Sequence, residues 1–232
     1  LDNDDMNILS KSKNVEKVSR HNLALPLANN KNAATTVASS IYLASLVGIK
    51  FFSTGGIGGV HLDAKNTFDI SSDLNELSKT NIYIICSGAK SILDIDKTYE
   101  NLETLGIPRI GYNIDYMPGF WYYQTNKKVD YNYDSMKDLC DYLKIRESIK
   151  QNGSVLIFNA VPKDAAIEKK LIKKWIKIII EEANNKSITG KELTPFLINE
   201  INYLSDNQTL KANIKLIINN ALIAGKLAAE YF

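Results

Sequence analysis

Only two cysteines and two histidines occur in 232 residues. Cys86 falls in an apolar, strand-like run and Cys140 in a helical pattern, and neither has the spacing of a metal ligand. Such usage fits a reducing compartment, here the cytoplasm, better than a secreted disulfide scaffold. Long apolar runs are also missing. The run Ile176 to Ile180 is broken by Lys177, far short of the ~18 residues of a spanning helix, so no membrane partner is expected. Neither sign of charge is in excess. Lys and Arg number 28 against 26 Asp and Glu, and the formal charge of +2 is too small to imply nucleic acid. The cluster of lysines from Lys163 to Lys177 reads as a solvated helix face. No internal repeat, Gly/Ser linker or signal peptide is visible, so residues 1–232 read as a single domain. The first residue is Leu1 rather than Met, which points to a start of translation farther upstream.

What is present is an alternation of strand-like and helical segments. Ala33 to Val47 has helical spacing, with Gly48 placed to end it. Ile49 to Phe52 reads as a short buried strand, and Asp73-Leu-Asn-Glu76 as a capping box starting a helix through Ser78. Asn81 to Cys86, Pro108 to Tyr112 and Ser154 to Asn159 follow as strands. Ser91 to Leu105, Asp134 to Ile149, Ala165 to Asn184 and Leu210 to Tyr231 follow as helices, with Thr194-Pro195 opening another. Tyr116 to Tyr133 is aromatic-rich and irregular, with room for a strand or hairpin. This order argues a largely parallel sheet covered on both faces, with ligands at the carboxyl ends of its strands.

Two of those ends carry polar loops. Thr54-Gly-Gly-Ile-Gly-Gly-Val-His61 clusters four glycines, which let backbone N–H groups close on an anion or serve a tight turn with positive φ. It matches neither a Walker loop nor a dinucleotide fingerprint. His61 at its end is placed to donate to a phosphate or act as acid or base. Asp69 and Asp73 are hard-oxygen candidates for Mg²⁺ or Mn²⁺, with Asp73 or Ser72 equally suited to cap the next helix. Cys86-Ser-Gly-Ala-Lys90 ends the second run. A lysine there, withdrawn from water, becomes a nucleophile toward a sugar carbonyl carbon; otherwise it is a surface lysine opening a helix. Lys17-Val-Ser-Arg20 is a short basic stretch able to meet a phosphate, and Asn213 a polar residue near the start of the last helix.

With these segments in hand the chain resembles the pseudouridine-5′-phosphate glycosidase family, also called the indigoidine synthase A family. The resemblance runs through NVEKVSR at Asn14 to Arg20, NAATTVAS at Asn32 to Ser39, STGGIGGVH at Ser53 to His61 and TFDISSDLNEL at Thr67 to Leu77. It continues through CSGAKSILDI at Cys86 to Ile95, LETLGIPRIGY at Leu102 to Tyr112, GKELTPFL at Gly190 to Leu197 and LKANIKLIINNA at Leu210 to Ala221. It implies a three-layer αβα sandwich with a mixed, largely parallel central sheet. The implied activity is cleavage of the carbon–carbon glycosidic bond of pseudouridine 5′-phosphate to uracil and ribose 5-phosphate, with Mn²⁺ or another divalent cation, by a homotrimer. The family's nucleophilic lysine falls on Lys90, its metal aspartate on Asp69, and its substrate-binding Ser-x-Asp on Ser71, Ser72 and Asp73. Its other substrate contacts fall on Lys17, Val37, Thr54, His61 and Asn213. Three departures stand out. The Glu-Ser-Thr motif, whose glutamate donates a proton in the family, has no counterpart, which suggests a domain lacking its N-terminal segment. The family's His-Arg-Gly is His61-Leu62-Asp63 here, and Ser72 replaces an alanine. The missing acid keeps open a catalytically silent sugar-phosphate-binding or assembly protein, and an aldolase-like Schiff-base lyase on sugar phosphates is a third reading.

Overall fold

Tyr83-Ile-Ile-Cys and Val155-Leu-Ile-Phe are apolar at every position, a pattern suited to strands buried on both faces. A computed structural model, which describes residues 3–12, 15–188 and 193–232, places both in the middle of a sheet. The N-terminal part contains α1 Asn3–Lys11, β1 Glu16–Val18, a 3₁₀ turn Arg20–Asn22, α2 Ala24–Ala28, β2 Ala33–Thr35 and α3 Val37–Leu46. The central part contains β3 Phe51–Ser53, α4 Ala64–Thr67, α5 Ser72–Leu77, β4 Tyr83–Cys86, α6 Ile95–Thr104, β5 Arg109–Tyr112 and β6 Tyr131–Tyr133. The rest is α7 Met136–Ser148, β7 Val155–Phe158, α8 Lys169–Asn185, α9 Leu193–Leu204 and α10 Gln208–Tyr231.

The main sheet runs β3-β4-β7-β5-β6, and each of its ladders is parallel. Its alternation sorts the core into two layers. Ile84, Cys86, Leu156 and Phe158 face a cluster containing Ile41, Leu74, Leu102, Trp121 and Ile172. Tyr83, Ile85, Val155 and Ile157 face Leu139 and Leu143 of α7 and Leu227 and Tyr231 of α10. Helices on both faces give the three-layer αβα arrangement, and among the described residues antiparallel pairing is confined to the isolated bridges Val60–Ile70 and Tyr116–Lys128. β1 and β2 form a separate parallel pair. Among the described residues, no helix is long and apolar enough to cross a membrane.

Three local readings are corrected, each by a cap or a ladder. Ala33–Thr35 is strand rather than helix because it pairs with β1, and α3 starts after a Thr36/Ser39 capping box. The helix expected from Ser91 starts only at Ile95, where the Asp94 side chain accepts from the Lys97 amide. Lys90 therefore sits in a loop and does not open a helix. No capping box forms at Asp73. Ser71 caps α5, and Glu76 turns to Arg20 and Thr80 instead. Gly106 ends α6 with φ +67°, as its C′ position requires. Thr194 and Pro195 both lie within α9. In α10 the buried row is Ala212, Leu216, Asn220, Ala224, Leu227 and Tyr231, while Ile214, Ile218 and Leu222 stay exposed.

Candidate functional site

β3 and β4 are neighbours and parallel, so the loops that follow them leave the sheet side by side. They are laced together: Ser87 N donates to Gly55 O, Ile57 N to Gly88 O, and Lys90 N to Ile57 O. None of the glycines from Gly55 to Gly59 has positive φ, so the turn reading does not explain them. They answer to close approach instead. A Cβ on Gly58 would stand 2.1 Å from Ser71 Oγ and 2.8 Å from Asp73 Oδ2. Gly88 does need its conformation, with φ +85°, and a side chain there would strike Pro118 O at 2.2 Å. The amides of Thr54, Ile57, Gly58, Val60 and His61 are bound within the protein. Those of Gly55, Gly56 and Gly59 have no acceptor among the described residues, so a phosphate-binding role is left to few N–H groups.

Asp73 is the brace of this region. Its carboxylate is buried, Oδ1 accepting from the Ala38 amide and Oδ2 from the Gly58 amide, each at 2.8 Å. Ala38 lies in the first turn of α3, where amides lack helical partners and the dipole favours an anion. One carboxylate thus ties a helix N-terminus to the glycine loop. Asp69 differs. The antiparallel bridge Val60–Ile70 carries it beside His61, whose Nδ1 lies 3.6 Å from Asp69 Oδ2, and its side chain is 39% exposed.

A cavity of about 390 Å³ opens at the two loops. Lys90, Lys17, His61 and Thr54 line it, as do Val37, Ser71, Asp73 and Asn213. Burial holds the Lys90 amine below the ordinary lysine range; Asp73 opposes that shift and Lys17 adds to it. Among the described residues Lys90 Nζ has no ion pair or hydrogen bond. His61 is likewise lowered, by burial first and by Lys17 and Lys90, against the pull of Asp69. It is a neutral imidazole at neutral pH. Asn213 Oδ1 accepts from Trp121 Nε1 at 2.7 Å, which leaves the Asn213 amide nitrogen as a donor for a ligand.

Two candidates stand outside the lining. Ser72 is exposed and its hydroxyl meets Ser19 Oγ at 2.6 Å; Asp69 lies behind His61. Among the described residues no three His, Cys, Asp or Glu side chains gather as a metal cluster. Asp69, open and without a hydrogen-bond donor on its carboxylate among the described residues, suits a hard cation that keeps most of its waters.

The sequence reading missed the floor and the back of the cavity. Phe120, at φ +68°, and Trp121 form part of its lining. Behind it the fully buried Asn220 donates to Thr54 O at 2.9 Å and Ser87 Oγ at 3.1 Å, and accepts from Asn159 Nδ2 at 3.0 Å. One side chain of α10 thereby holds the ends of β3, β4 and β7. The available signal was an asparagine in register with Leu216 and Ala224 on the buried row of the helix.

Comparison with known proteins agrees with this geometry. The family model described as indigoidine synthase A like protein matches residues 1–230. A pseudouridine-5′-phosphate glycosidase of Brachyspira hyodysenteriae is 44% identical over 231 residues, covering 100% of this chain and 75% of the relative. That of Geobacillus kaustophilus is 46% identical over 222 residues, covering 96% and 74%. Among solved structures, the prealnumycin C-glycosynthase AlnA in complex with ribulose 5-phosphate superposes with a TM-score of 0.92 at 29% identity, over 100% of this chain and 76% of AlnA. An indigoidine synthase A-like protein from Thermotoga maritima gives 0.87 at 31% identity, over 96% and 73%. With the family model spanning nearly every residue and the fold shared throughout, the chain belongs to the indigoidine synthase A like family.

Proposed function

We propose that this chain is an enzyme that cleaves the carbon–carbon glycosidic bond of pseudouridine 5′-phosphate to uracil and ribose 5-phosphate. The observation that carries the proposal is Lys90: a partly buried amine of lowered pKa, without a protein partner among the described residues, in a cavity beside Lys17 and His61. Relatives named for this activity at 40–46% identity, and a structural neighbour holding a pentulose phosphate, support it.

A carbon leaving group departs poorly, so the reaction needs an electron sink at the anomeric carbon. The Lys90 Nζ lone pair bonds to that carbon while the carbon's bond to the ring oxygen breaks, and the oxygen takes the proton that the nitrogen gives up. Carbon 5 of uracil takes a second proton. The bond between it and the anomeric carbon then breaks, its electrons restoring the uracil ring as the nitrogen lone pair forms the imine. Water adds to the imine and releases ribose 5-phosphate and the free amine, so one hard step becomes two easier ones. Lys17 and His61 suit the phosphate, whose binding aligns the sugar against Lys90. Asp69 would hold the divalent cation, taken as Mn²⁺, which when bound would organise water and polar groups near the sugar. The exposed apolar row Leu210, Ile214, Ile218 and Leu222 of α10 supports assembly, read here as a homotrimer. The two free, buried cysteines go with a cytoplasmic location.

One observation favours the second reading, sugar-phosphate binding without turnover. Asp73 is the single carboxylate among the described lining residues, and both its oxygens already accept backbone amides. The experiment is incubation with pseudouridine 5′-phosphate and Mn²⁺, following uracil, together with borohydride trapping of ribose 5-phosphate. Uracil release and an adduct on Lys90 are expected. Lys90→Ala removes the adduct and lowers turnover on the order of 10³-fold or more. An adduct without uracil selects the second reading, and the loss of both overturns the imine chemistry.

A further inference from the structure

A second hollow, of about 620 Å³, lies between the segment that follows Lys90 and α8. Leu93 is a wall of both hollows, and Ser91, next to Lys90, lines this one. Its floor is apolar, built from Leu93, Ile95, Ile172, Ile176 and Ile180. Its rim carries Lys169, Lys173 and Lys177, which are spaced four apart on α8 and so share one helix face. Among the described residues none of the three is in a salt bridge; Lys169 Nζ lies 5.5 Å over the Tyr122 ring. The aspartates of the opposite wall are already occupied. Asp94 is paired with Lys97 at 2.7 Å, and Asp96 stands 3.5 Å from Lys127. The lysine cluster that reads as a solvated face in sequence therefore overlooks a concave apolar surface.

Tyr122 supplies an independent observation. The residue is 7% exposed, and its ring lies against Gly119, where an added Cβ would stand 2.0 Å away. Yet its hydroxyl has no hydrogen-bond partner among the described residues, and Tyr122 lines the hollow. Burial, with a contribution from Asp96, pushes its pKa up to about 12, so the phenol is a donor. The hydroxyl oxygen itself stays open to solvent on the hollow's side, so this donor is available to a ligand.

We propose that this hollow binds an amphipathic organic anion, a carboxylate or sulfonate on an apolar ring, distinct from the sugar phosphate. The ring lies on the isoleucine floor, and the anionic group meets Lys169, Lys173 and the Tyr122 hydroxyl. The volume and the apolar floor are those of small-molecule sites; the rim is more polar, and Glu181, next in the lysine row, places the anion at the Lys169–Lys173 end, away from its own charge. Because Leu93 borders both hollows and its amide donates to Lys90 O, occupancy stiffens the loop that carries the reactive lysine. The proposal stands whether or not the chain turns over pseudouridine 5′-phosphate.

The test is fluorescence titration of the full chain with 1-anilinonaphthalene-8-sulfonate, an aromatic sulfonate. Saturable binding of one dye per chain is expected. Lys173→Glu, at an exposed position, weakens it about tenfold or more, and Tyr122→Phe weakens it about threefold to tenfold. Tyr122→Phe removes no hydrogen bond made among the described residues, so the fold is expected to be unchanged. Lys90→Ala leaves the dye affinity unchanged. Equal affinity in Lys173→Glu and the parent overturns the proposal, because the dye then sits on another apolar face. Loss of binding in Lys90→Ala overturns it too, because the dye then sits in the Lys90 cavity.

Discussion

Asp69 and Asp73 are four residues apart in sequence, and the fold gives them opposite surroundings. Asp73 is buried, with an amide on each oxygen, one from the start of α3 and one from the glycine loop. Asp69 is more than a third exposed, and the titratable group beside it among the described residues is the His61 imidazole, at 3.6 Å. Each aspartate also supports the protonated form of a different base: Asp73 pulls the Lys90 pKa upward and Asp69 that of His61. The difference teaches that carboxylates of equal promise in a sequence divide into one that builds the site and one that remains free to bind something.

The comparison breaks most sharply at Asp73. Asp73→Asn turns one acceptor into a donor facing an amide donor, and the lost charge-assisted bond should cost about 2–3 kcal/mol of stability in urea unfolding. Unchanged stability would show that the brace is dispensable. Asp69→Asn should leave stability within about 0.5 kcal/mol, as for an open surface position. It should raise the Mn²⁺ concentration needed for half-maximal activity by about tenfold or more. An unchanged Mn²⁺ requirement would remove Asp69 from metal binding. The smallest effect is electrostatic. An amine that acts as the proposed nucleophile must be neutral, so kcat/KM should rise with pH through the Lys90 pKa, with a midpoint below the ordinary value of about 10.4. Asp73→Asn removes a favourable charge from the ammonium and should move that limb still lower. Asp69→Asn should move the His61 midpoint down in the same sense, read from the C2 proton in a chain whose other histidine is His21.

The two polar loops, Lys90 and the parallel core strands were legible because their signals are local. Glycines, a short apolar run and a lysine at its end need no distant partner to be noticed. Element starts were less so. Ala33–Thr35 follows its partner β1 rather than its own helical spacing, and Asp94 delays α6 until after the Lys90 loop. The bracing of Asp73 was hidden because Ala38 lies 35 residues away. Asn220 was further out of reach, since its bonds to Ser87 and Thr54 span 133 and 166 residues. A buried asparagine on an apolar row looks like a flaw in a helix until the strand ends it holds are known.

That asparagine has a consequence for biosynthesis. Ribosomes deliver Thr54, Ser87 and Asn159 long before Asn220, so on the nascent chain the Thr54 carbonyl and Asn159 amide must wait for a partner. The backbone bonds that lace the strand ends can form while α10 is still being made, but the side-chain bonds of Asn220 and the α10 wall of the pocket cannot. The pocket is therefore the last part of the domain to mature, and an unfinished chain carries its lysine without yet having a place to use it.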